Sequence, residues 1–349
     1  SARLRMTLED TYAGALARCA PELLVREHVR PGMPRNVVAI GKCAGAMLDG
    51  VAAVHDVAEA FVAIPDGYKL PATRAEVHRG GHPQMTKESF EAGRALLAFV
   101  DAHDDILLLV SGGGSACVEV PLPPHTEEEL TEINARLVAS GLPIAAINAE
   151  RKQRSAIKGG RLGARVRGDC ATLVYSDVAT GRLADVASGP SERSLVLVAD
   201  NSTLVRAAAS LIARPVVVEE QIECDVEEAA AMLAERARTL RRGEVLVAGG
   251  EPTVVVRGSG RGGRCSELAV RFAMRSPCEA LFAASDGVDG STGAAGIYLP
   301  RRRAAGARAD WQPALQRSNS FEIAAQVGEP IMIAPTGNNL RDLFLVARD

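Results

Sequence analysis

Short apolar runs alternate with longer amphipathic stretches through the first half of the chain. The runs at 36–40, 58–64, 105–110 and 171–176 have strand length and are mostly apolar on both faces. Around them, apolar residues return every three or four positions, which predicts helices at 7–29, 43–54, 86–100, 126–140 and 144–157. This alternation predicts an α/β fold with a doubly wound, mostly parallel sheet and helices on both faces.

The pattern changes near residue 240. Helices are predicted at 203–213 and 226–242, whereas shorter strands, more glycines and more turns follow Glu244, with strands predicted at 245–248, 253–256 and 280–284. We therefore predict two domains, an N-terminal α/β domain at 1–240 and a smaller C-terminal α/β domain at 241–349. The length of 349 residues also fits two domains better than one.

Composition narrows the classes of partner. A net charge of -3 argues against nucleic acid as a main partner, and no run approaches the roughly 18 apolar residues of a membrane span. The seven cysteines occur singly without C-x-x-C spacing, so neither a zinc site nor a disulfide framework is indicated. Together with the lack of an apolar signal region, this composition favours the cytoplasm. The sequence leaves a homodimer open.

Polar or charged residues follow three of the predicted strands. Lys42 follows the first strand, the glycine loop Ser111 to Ser115 follows the third, and Asp177 follows the fourth. The carboxyl ends of parallel strands meet at one edge of a sheet, where ligands bind. Consecutive glycines allow backbone N–H groups to approach an anion, although a tight turn without a ligand has the same pattern.

A second glycine cluster at 258–263 matches the pattern G-x-G-x-x-G of dinucleotide-binding enzymes. A dinucleotide-binding oxidoreductase is therefore an alternative. It is less favoured, because the strand predicted before this cluster follows Gly249 and Gly250 in hairpin fashion. No clear second strand ending in an acidic residue follows about 20 residues later.

Charged residues elsewhere suggest anion and metal binding. The segment 148–161 is densely basic and ends near paired glycines, which indicates a site for a carboxylate or phosphate, or otherwise a solvated helix face. Asp177, Glu251 and Asp286 lie near glycines and are oxygen ligands suited to Mg²⁺. No Walker A sequence occurs, which disfavours P-loop and protein kinases.

Taken in order along nearly the whole chain, these segments resemble the type-2 glycerate kinases, whose C-terminal part is called the MOFRL domain. The matching motifs are Gly41-Lys42, His82-Pro83, Ser111 to Ala116, Ser140-Gly141, Asn148, Arg151-Lys152, Ser155, Lys158 to Leu162, Ser176 to Val178, Ala187 to Pro190, Gly249 to Thr253, Gly262 to Arg264, Glu267-Leu268, Asp286 to Gly290, Ser318 to Ser320 and Pro335 to Gly337.

The resemblance implies phosphorylation of D-glycerate by ATP, typically to 2-phosphoglycerate, with Mg²⁺ and an active site in the cleft between two α/β domains. Members of this family have often been labelled hydroxypyruvate reductases, a function that is less favoured here than that of a kinase. By position, Lys42 and Arg264 are expected to stabilise the transferring phosphoryl group, and Asp177 to bind metal or accept the hydroxyl proton.

The remaining expected site residues are grouped by role. Substrate or phosphate binding is expected of Ser111, Gly112, Gly113, Gly114, Ser115, Asn148, Arg151, Lys152 and Lys158; nucleotide binding of Gly159, Gly160, Gly249, Gly250, Glu251 and Asp286; and metal binding of Asp177 and Asp286.

The chain departs from the family pattern at the edges of several motifs. After Val178, the acidic Gly-Asp-Asp-like stretch usual in the family is replaced by the segment 179–185. Cys265 and Ser266 stand where Asn and Gln are usual. These departures leave open a family member that phosphorylates a different hydroxy acid, and a non-catalytic protein that binds its ligand without turnover.

Overall fold

The computed structural model describes residues 2–139, 144–179, 181–301 and 311–348. Three residues of the motifs above, Ser140, Gly141 and Thr180, lie outside the described residues. The chain forms two compact units. We call Ala20–Asp200 the parallel-sheet unit, and Ser1–Cys19 with Asn201–Asp349 the mixed-sheet unit, and describe each by itself.

The strands in chain order are β1 Asn36–Ile40, β2 Glu59–Pro65, β3 Glu76–Gly80, β4 Ile106–Ser111, β5 Cys170–Tyr175, β6 Leu195–Ala199, β7 Pro215–Val217, β8 Val245–Gly250, β9 Glu279–Ala284, β10 Gly296–Leu299, β11 Glu329–Ile331 and β12 Asp342–Ala347. The helices are α1 Ala2–Arg18, α2 Pro21–Leu24, α3 Ala44–Ala52, α4 Lys87–Ala102, α5 Gly114–Cys117, α6 Glu127–Ala139, α7 Ile144–Arg154, α8 Arg161–Arg165, α9 Asn201–Ala209, α10 Val226–Thr239, α11 Arg264–Ala273, α12 Gln312–Gln316 and α13 Ser320–Val327, with 3-10 segments at Val25–His28 and Leu183–Ser188.

The parallel-sheet unit is built on a six-stranded sheet of order β3-β2-β1-β4-β5-β6. All of its neighbouring strands run parallel. This confirms the predicted α/β fold with a parallel sheet. The strand order reverses between β1 and β4, and in doubly wound sheets such a switch point opens a crevice at the carboxyl ends of the strands.

Helices cover both faces of this sheet because β1 is apolar on both. Val38 and Ile40 share a buried cluster with Leu96 and Phe99 of α4. Side chains of successive strand residues point to opposite faces. The other face is covered by α3, which packs on β1, β2 and β4. The sheet therefore has a dry interior on each side, and polar residues are left to the strand ends.

The mixed-sheet unit contains a second six-stranded sheet of order β11-β10-β9-β12-β8-β7. Only β7 and β8 run parallel there; the other neighbouring strands are antiparallel. Its core combines α10, α11 and α13 with the sheet. The N-terminal helix α1 also packs in this unit, and the hydroxyl of Tyr12 donates to the carbonyl of Ala284 at 2.7 Å.

The division between the units does not coincide with the predicted boundary between 1–240 and 241–349. Residues 201–240 pack with the mixed sheet because β7 pairs with β8 and α9 packs on β8. The helical texture of this segment resembles that of the preceding part of the chain, and the sequence pattern alone does not reveal which sheet it covers.

Some elements differ from the sequence predictions. No strand forms at 253–256, where the side chains of Val255 and Val256 are 61% and 76% exposed. The predicted helix at 7–29 ends at Arg18, and a short helix begins anew at Pro21. No helix in the described part of the chain is both long and apolar enough to cross a membrane.

Candidate active site

The switch point of the parallel sheet brings Lys42 and the glycine loop together. The N–H of Lys42 donates to the carbonyl of Gly112 at 2.8 Å. The hydroxyl of Ser111 donates to the carbonyl of Ile40 at 3.2 Å and accepts from the N–H of Cys43 at 3.0 Å. The ends of β1 and β4 are thus bonded to each other. Because the Ser111 side chain is fully buried, its hydroxyl holds the loop in place.

The stem of Lys42 lies over the glycine loop. Gly113 has a φ of +83°, and a Cβ there would lie 2.8 Å from Cγ of Lys42. Only glycine fits this position, because both the backbone conformation and the contact exclude a side chain. The Nζ atom of Lys42 lies 5.6 Å from the ring centroid of Tyr68, within the range of a cation–π interaction. The lysine is therefore positioned beside the backbone of Gly112 and Gly113, as the sequence predicts.

A chain of hydrogen bonds ties the glycine loop to two other predicted motifs. Ser188 donates to Oδ1 of Asn148 at 2.9 Å. The hydroxyl of Ser115 lies 2.7 Å from that of Ser188, so Ser115 is the donor in that pair. Ala187, Ser188 and Gly189 form a left-handed run with φ of 52°, 59° and 65°. Such a run is unfavourable for residues other than glycine, and here it directs Ser188 toward Ser115.

Two groups expected to bind phosphate or nucleotide have structural roles instead. Lys158 is 1% exposed and forms an ion pair with the equally buried Glu119, so its ammonium does not face a ligand. The N–H groups of Gly159 and Gly160 donate to the carbonyls of Ser188 and Gly189 at 3.2 and 2.8 Å. Gly159 and Gly160 therefore hold the left-handed run at 187–189 in place through their backbone N–H groups, and Lys158 stabilises the core beside them.

Lys152 and Arg151 lie side by side on α7 in different environments. Lys152 bonds to Asp185 at 2.9 Å, and the same carboxylate accepts from Arg182. Burial raises the pKa of Asp185, but the hydrogen bonds from these two cations outweigh it, and the net pKa is lowered. Arg151 donates from Nε and Nη2 to Oδ1 of Asn134 at 3.1 and 2.6 Å.

Asp177 follows β5, the strand next to β4, and is half-buried. It therefore lies at the same edge of the sheet as Lys42 and the glycine loop. The preceding Ser176 accepts a hydrogen bond from the N–H of Val178 at 3.3 Å, which shapes the turn. The sheet thus places three of the predicted residues at the ends of neighbouring strands.

In the mixed-sheet unit, Arg264 at the start of α11 lies among carboxylates. Its Nε and Nη2 bond to the two oxygens of Asp342 at 3.1 and 3.2 Å, and its Nη1 bonds to Glu251 at 2.8 Å. Glu251 also pairs with Arg341 at 3.4 Å. The charge of Asp342, the largest cause, raises the pKa of Arg264, so the guanidinium is permanently charged. Asp342 is fully buried and fixes the plane of the guanidinium.

A second carboxylate organises the same helix end. Asp289 accepts from the N–H groups of Cys265 and Ser266 at 2.9 and 2.8 Å. Burial raises its pKa to about 6, although these two hydrogen bonds act in the opposite direction. The neighbouring Asp286 accepts from the N–H of Val288 at 3.0 Å. Asp289 lies within the motif Asp286 to Gly290 and supports the start of α11, whereas Asp342 is a supporting residue that the sequence did not reveal.

The glycines of the mixed-sheet unit serve close packing. A Cβ at Gly249 would lie 2.2 Å from Oδ1 of Asn201, and one at Gly250 would lie 2.3 Å from the carbonyl of Ile222. Gly258 and Gly260 of the G-x-G-x-x-G cluster lie against the backbone of residue 317 in the same way. The cluster follows no strand, so the strand–turn–helix arrangement of a dinucleotide fingerprint does not form here.

Within the described ranges, no group of three or more His, Cys, Asp and Glu side chains forms a metal cage. Mg²⁺ in phosphoryl-transfer sites takes one or two carboxylates and completes its shell with phosphate oxygens and water. A single carboxylate beside a glycine loop, such as Asp177, fits that donor set. Mg²⁺ carried by a nucleotide is therefore compatible with the residues present.

Comparison with known proteins gives the family. A family model described as a domain of unknown function, DUF4147, matches residues 7–230, and the MOFRL family model matches residues 244–342. A D-glycerate 2-kinase from Thermotoga maritima is 29% identical, with 88% of this chain and 89% of the relative covered. A relative from Agrobacterium vitis, also 29% identical over 97% of this chain and 93% of its own, bears the provisional name hydroxypyruvate reductase.

The fold is similar as well. The crystal structure of a glycerate kinase from Thermotoga maritima matches with a TM-score of 0.88 and 26% identity, covering 100% of both chains. The order of the motifs, the doubly wound sheet and the two matching family models agree with one another. The chain therefore belongs to the DUF4147–MOFRL family, the family of the type-2 glycerate kinases.

Proposed function

We propose that the protein transfers the γ-phosphoryl group of ATP to a hydroxyl group of D-glycerate and forms 2-phosphoglycerate. The observation that carries this proposal is the position of Lys42, whose stem packs on Gly113 of the glycine loop at the switch point of the parallel sheet. A fixed cation beside backbone N–H groups is suited to a group whose charge is spread over phosphoryl oxygens.

The residues divide the work of this reaction as follows. The hydroxyl oxygen of the acid bonds to the γ-phosphorus, the bond from that phosphorus to the β,γ-bridging oxygen breaks, and ADP leaves. Asp177 accepts the hydroxyl proton or holds Mg²⁺. Lys42 neutralises charge on the phosphoryl oxygens. Arg264 is assigned the same task by its position in the family motif. When bound, Mg²⁺ supplies further neutralisation of the phosphate charges.

The supporting contacts explain how such a site is kept ordered. Ser188 holds Ser115 and Asn148, and Asp342 holds Arg264. Glycerate kinase relatives imply ATP as the phosphoryl donor. The Mg²⁺ requirement, a cytoplasmic location and a homodimer are parts of the proposal that rest on the sequence and the family resemblance.

The test is ADP release from ATP and Mg²⁺ with D-glycerate, followed by ³¹P NMR of the product. We expect 2-phosphoglycerate and loss of turnover in Lys42→Ala, while Lys87→Ala, at an exposed lysine paired with Glu91, keeps full activity. Turnover with another hydroxy acid alone would change the substrate. NADH oxidation with hydroxypyruvate, or binding without turnover, would overturn the kinase proposal.

A further inference from the structure

Arg151 differs from the other basic residues of the segment 151–167 in its partners. Carboxylates pair with Lys152 (Asp185), Arg154 (Glu150), Lys158 (Glu119), Arg165 (Asp101) and Arg167 (Asp104), and Arg161 donates to backbone carbonyls. Among the residues that the structure describes, none offers Arg151 a carboxylate within ion-pair distance. Burial lowers the pKa of Arg151, and the charge of Glu119, which already pairs with Lys158, offsets this only in part. A half-buried cation without an ion pair of its own is unfavourable, and an anionic ligand would remove that cost.

The guanidinium of Arg151 is held in one orientation. Asn134 is 1% exposed, and its Oδ1 accepts from both Nε and Nη2 of Arg151. Its Nδ2 donates to the carbonyl of Pro83 at 3.4 Å and to Oε1 of Gln84 at 3.5 Å. The amide is thus engaged at both ends. In the described part of the chain, Nη1 of Arg151 has no hydrogen-bond acceptor, which leaves one edge of the fork for a ligand.

The turn that Asn134 contacts also carries His82. The side chain is exposed to solvent, yet partial desolvation and the charges of Lys42 and Arg151 lower its pKa to about 4. The imidazole is therefore neutral at pH 7 and can donate one hydrogen bond. His82 follows β3 and Lys42 follows β1 at the same edge of the parallel sheet. Asn134 bonds both to Pro83, the residue after His82, and to Arg151, so all three side chains belong to this end of the unit.

We propose that Arg151 and His82 bind the carboxylate of the hydroxy-acid substrate, and that Asn134 is the positioning residue that orients Arg151. The identity of the acid rests on the proposed function; the anion subsite itself does not. In D-glycerate the carboxylate is bonded to the carbon that bears the 2-hydroxyl, so its anchor must lie beside the phosphoryl site. The planar fork of an arginine suits a carboxylate, whereas the glycine loop and Lys42 serve the phosphoryl group.

The first test follows the titration of His82 by NMR in the full chain. The signal is assigned among the six histidines by its loss in His82→Gln. Saturating D-glycerate without nucleotide is expected to raise the pKa of His82 by at least one unit, because a bound carboxylate stabilises the imidazolium form. Glycerol, which carries CH₂OH in place of the carboxylate, should leave it unchanged. No shift with D-glycerate, or an equal shift with glycerol, would overturn the proposal.

The second test uses kinetics and binding in matched arginine variants. Arg151→Lys is expected to raise KM for D-glycerate about 10- to 100-fold, as for the loss of charged hydrogen bonds, and to leave KM for ATP within about twofold. Arg165→Lys, at an arginine paired with Asp101, should change neither. Asn134→Ala should also raise KM for D-glycerate, and it keeps Arg151 charged.

The two tests separate failure of the subsite from failure of the proposed function. If the chain does not phosphorylate D-glycerate, calorimetric binding of D-glycerate to the wild type and to Arg151→Lys still measures the subsite. Equal affinity in both proteins would refute the role of Arg151. Turnover with an unchanged KM in Arg151→Lys would retain the kinase function and refute the carboxylate anchor.

Discussion

The contact between Asp342 and Arg264 provides the sharpest test of how the mixed-sheet unit contributes to activity. In Asp342→Asn, the amide oxygen can accept from only one of the two donors, Nε and Nη2 of Arg264, while the NH₂ group faces the other. The side chain of Asp342 is 1% exposed, whereas that of Arg264 is 38% exposed and keeps its bond to Glu251. The loss should therefore lie near that of hydrogen bonds to a charged group, about 1.5–3 kcal/mol of unfolding free energy.

The kinetic consequence follows from the assigned role of Arg264. If the guanidinium stabilises charge that develops only in the transition state, its misorientation lowers kcat and leaves KM unchanged. A kcat reduced about 10- to 100-fold corresponds to roughly 1.4–2.7 kcal/mol of lost transition-state stabilisation. The assays are initial rates of ADP release with D-glycerate and urea unfolding followed by circular dichroism.

The matched control is Asp101→Asn. Asp101 bonds to Nε and Nη2 of Arg165 at 2.6 Å each, but both side chains are about half-exposed. An exposed pair contributes about 0–1 kcal/mol, so this variant should unfold nearly as the wild type and keep its kcat. A normal kcat in Asp342→Asn despite the expected loss of stability would refute the role assigned to Arg264. An equal fall of kcat in Asp101→Asn would show that the loss is not specific to the carboxylate that orients Arg264, and would refute this explanation.

Three further predictions concern the parallel-sheet unit. Gly113→Ala should lower kcat more than tenfold, because the added Cβ would displace Lys42. The control is Gly67→Ala, since Gly67 has a φ close to that of Gly113 but open space around it. This control should lose only about 1–2 kcal/mol of unfolding free energy, measured by urea unfolding. Lys158→Met should lose about 3–5 kcal/mol because it leaves Glu119 buried and unpaired; a double variant with Glu119→Gln that is no more stable than Lys158→Met would contradict this account. The pKa of His82 is lowered from 6.5 to about 4, so between these pH values the unfolded chain binds more protons than the folded one, and stability should fall as pH decreases from 6.5 to 4. His82→Gln should flatten this pH dependence of the unfolding free energy in urea melts. An unchanged slope in the variant would contradict the prediction.

The sequence predicts the parallel sheet well because its inner strands are apolar on both faces. β4, whose residues are all buried, cannot be confused with a surface element. β3 was missed, since Glu76 and Val77 at this sheet edge are exposed and give no apolar signal. The segment 253–256 gave the opposite error. Its valines have strand propensity, but no neighbouring strand pairs with them, and propensity alone does not make a strand.

The site could be predicted only in part, for a related reason. Lys42 and the glycine loop follow strands directly, so local sequence identifies them. Asn134 and Asp342 act on arginines 17 and 78 residues away in the chain, and no spacing rule connects such pairs. For Lys158 the sequence predicted a ligand-binding role, whereas the structure shows an ion pair in the core. The residue type alone does not distinguish a buried, paired lysine from one that faces a ligand. Only the fold shows which carboxylate each cation meets.

The position of α1 has a consequence for synthesis on the ribosome. Its residues Leu8, Tyr12 and Leu16 are buried in the mixed-sheet unit, and Tyr12 bonds to a residue made 272 positions later. Domains generally fold as they emerge, and 20–200 is a contiguous stretch that can do so. The apolar face of α1 also packs on α9, but it is not fully covered until β9 has left the exit tunnel. A chaperone that binds amphipathic helices should therefore recognise nascent chains of this protein that stop short of residue 279, and release those that extend through β12.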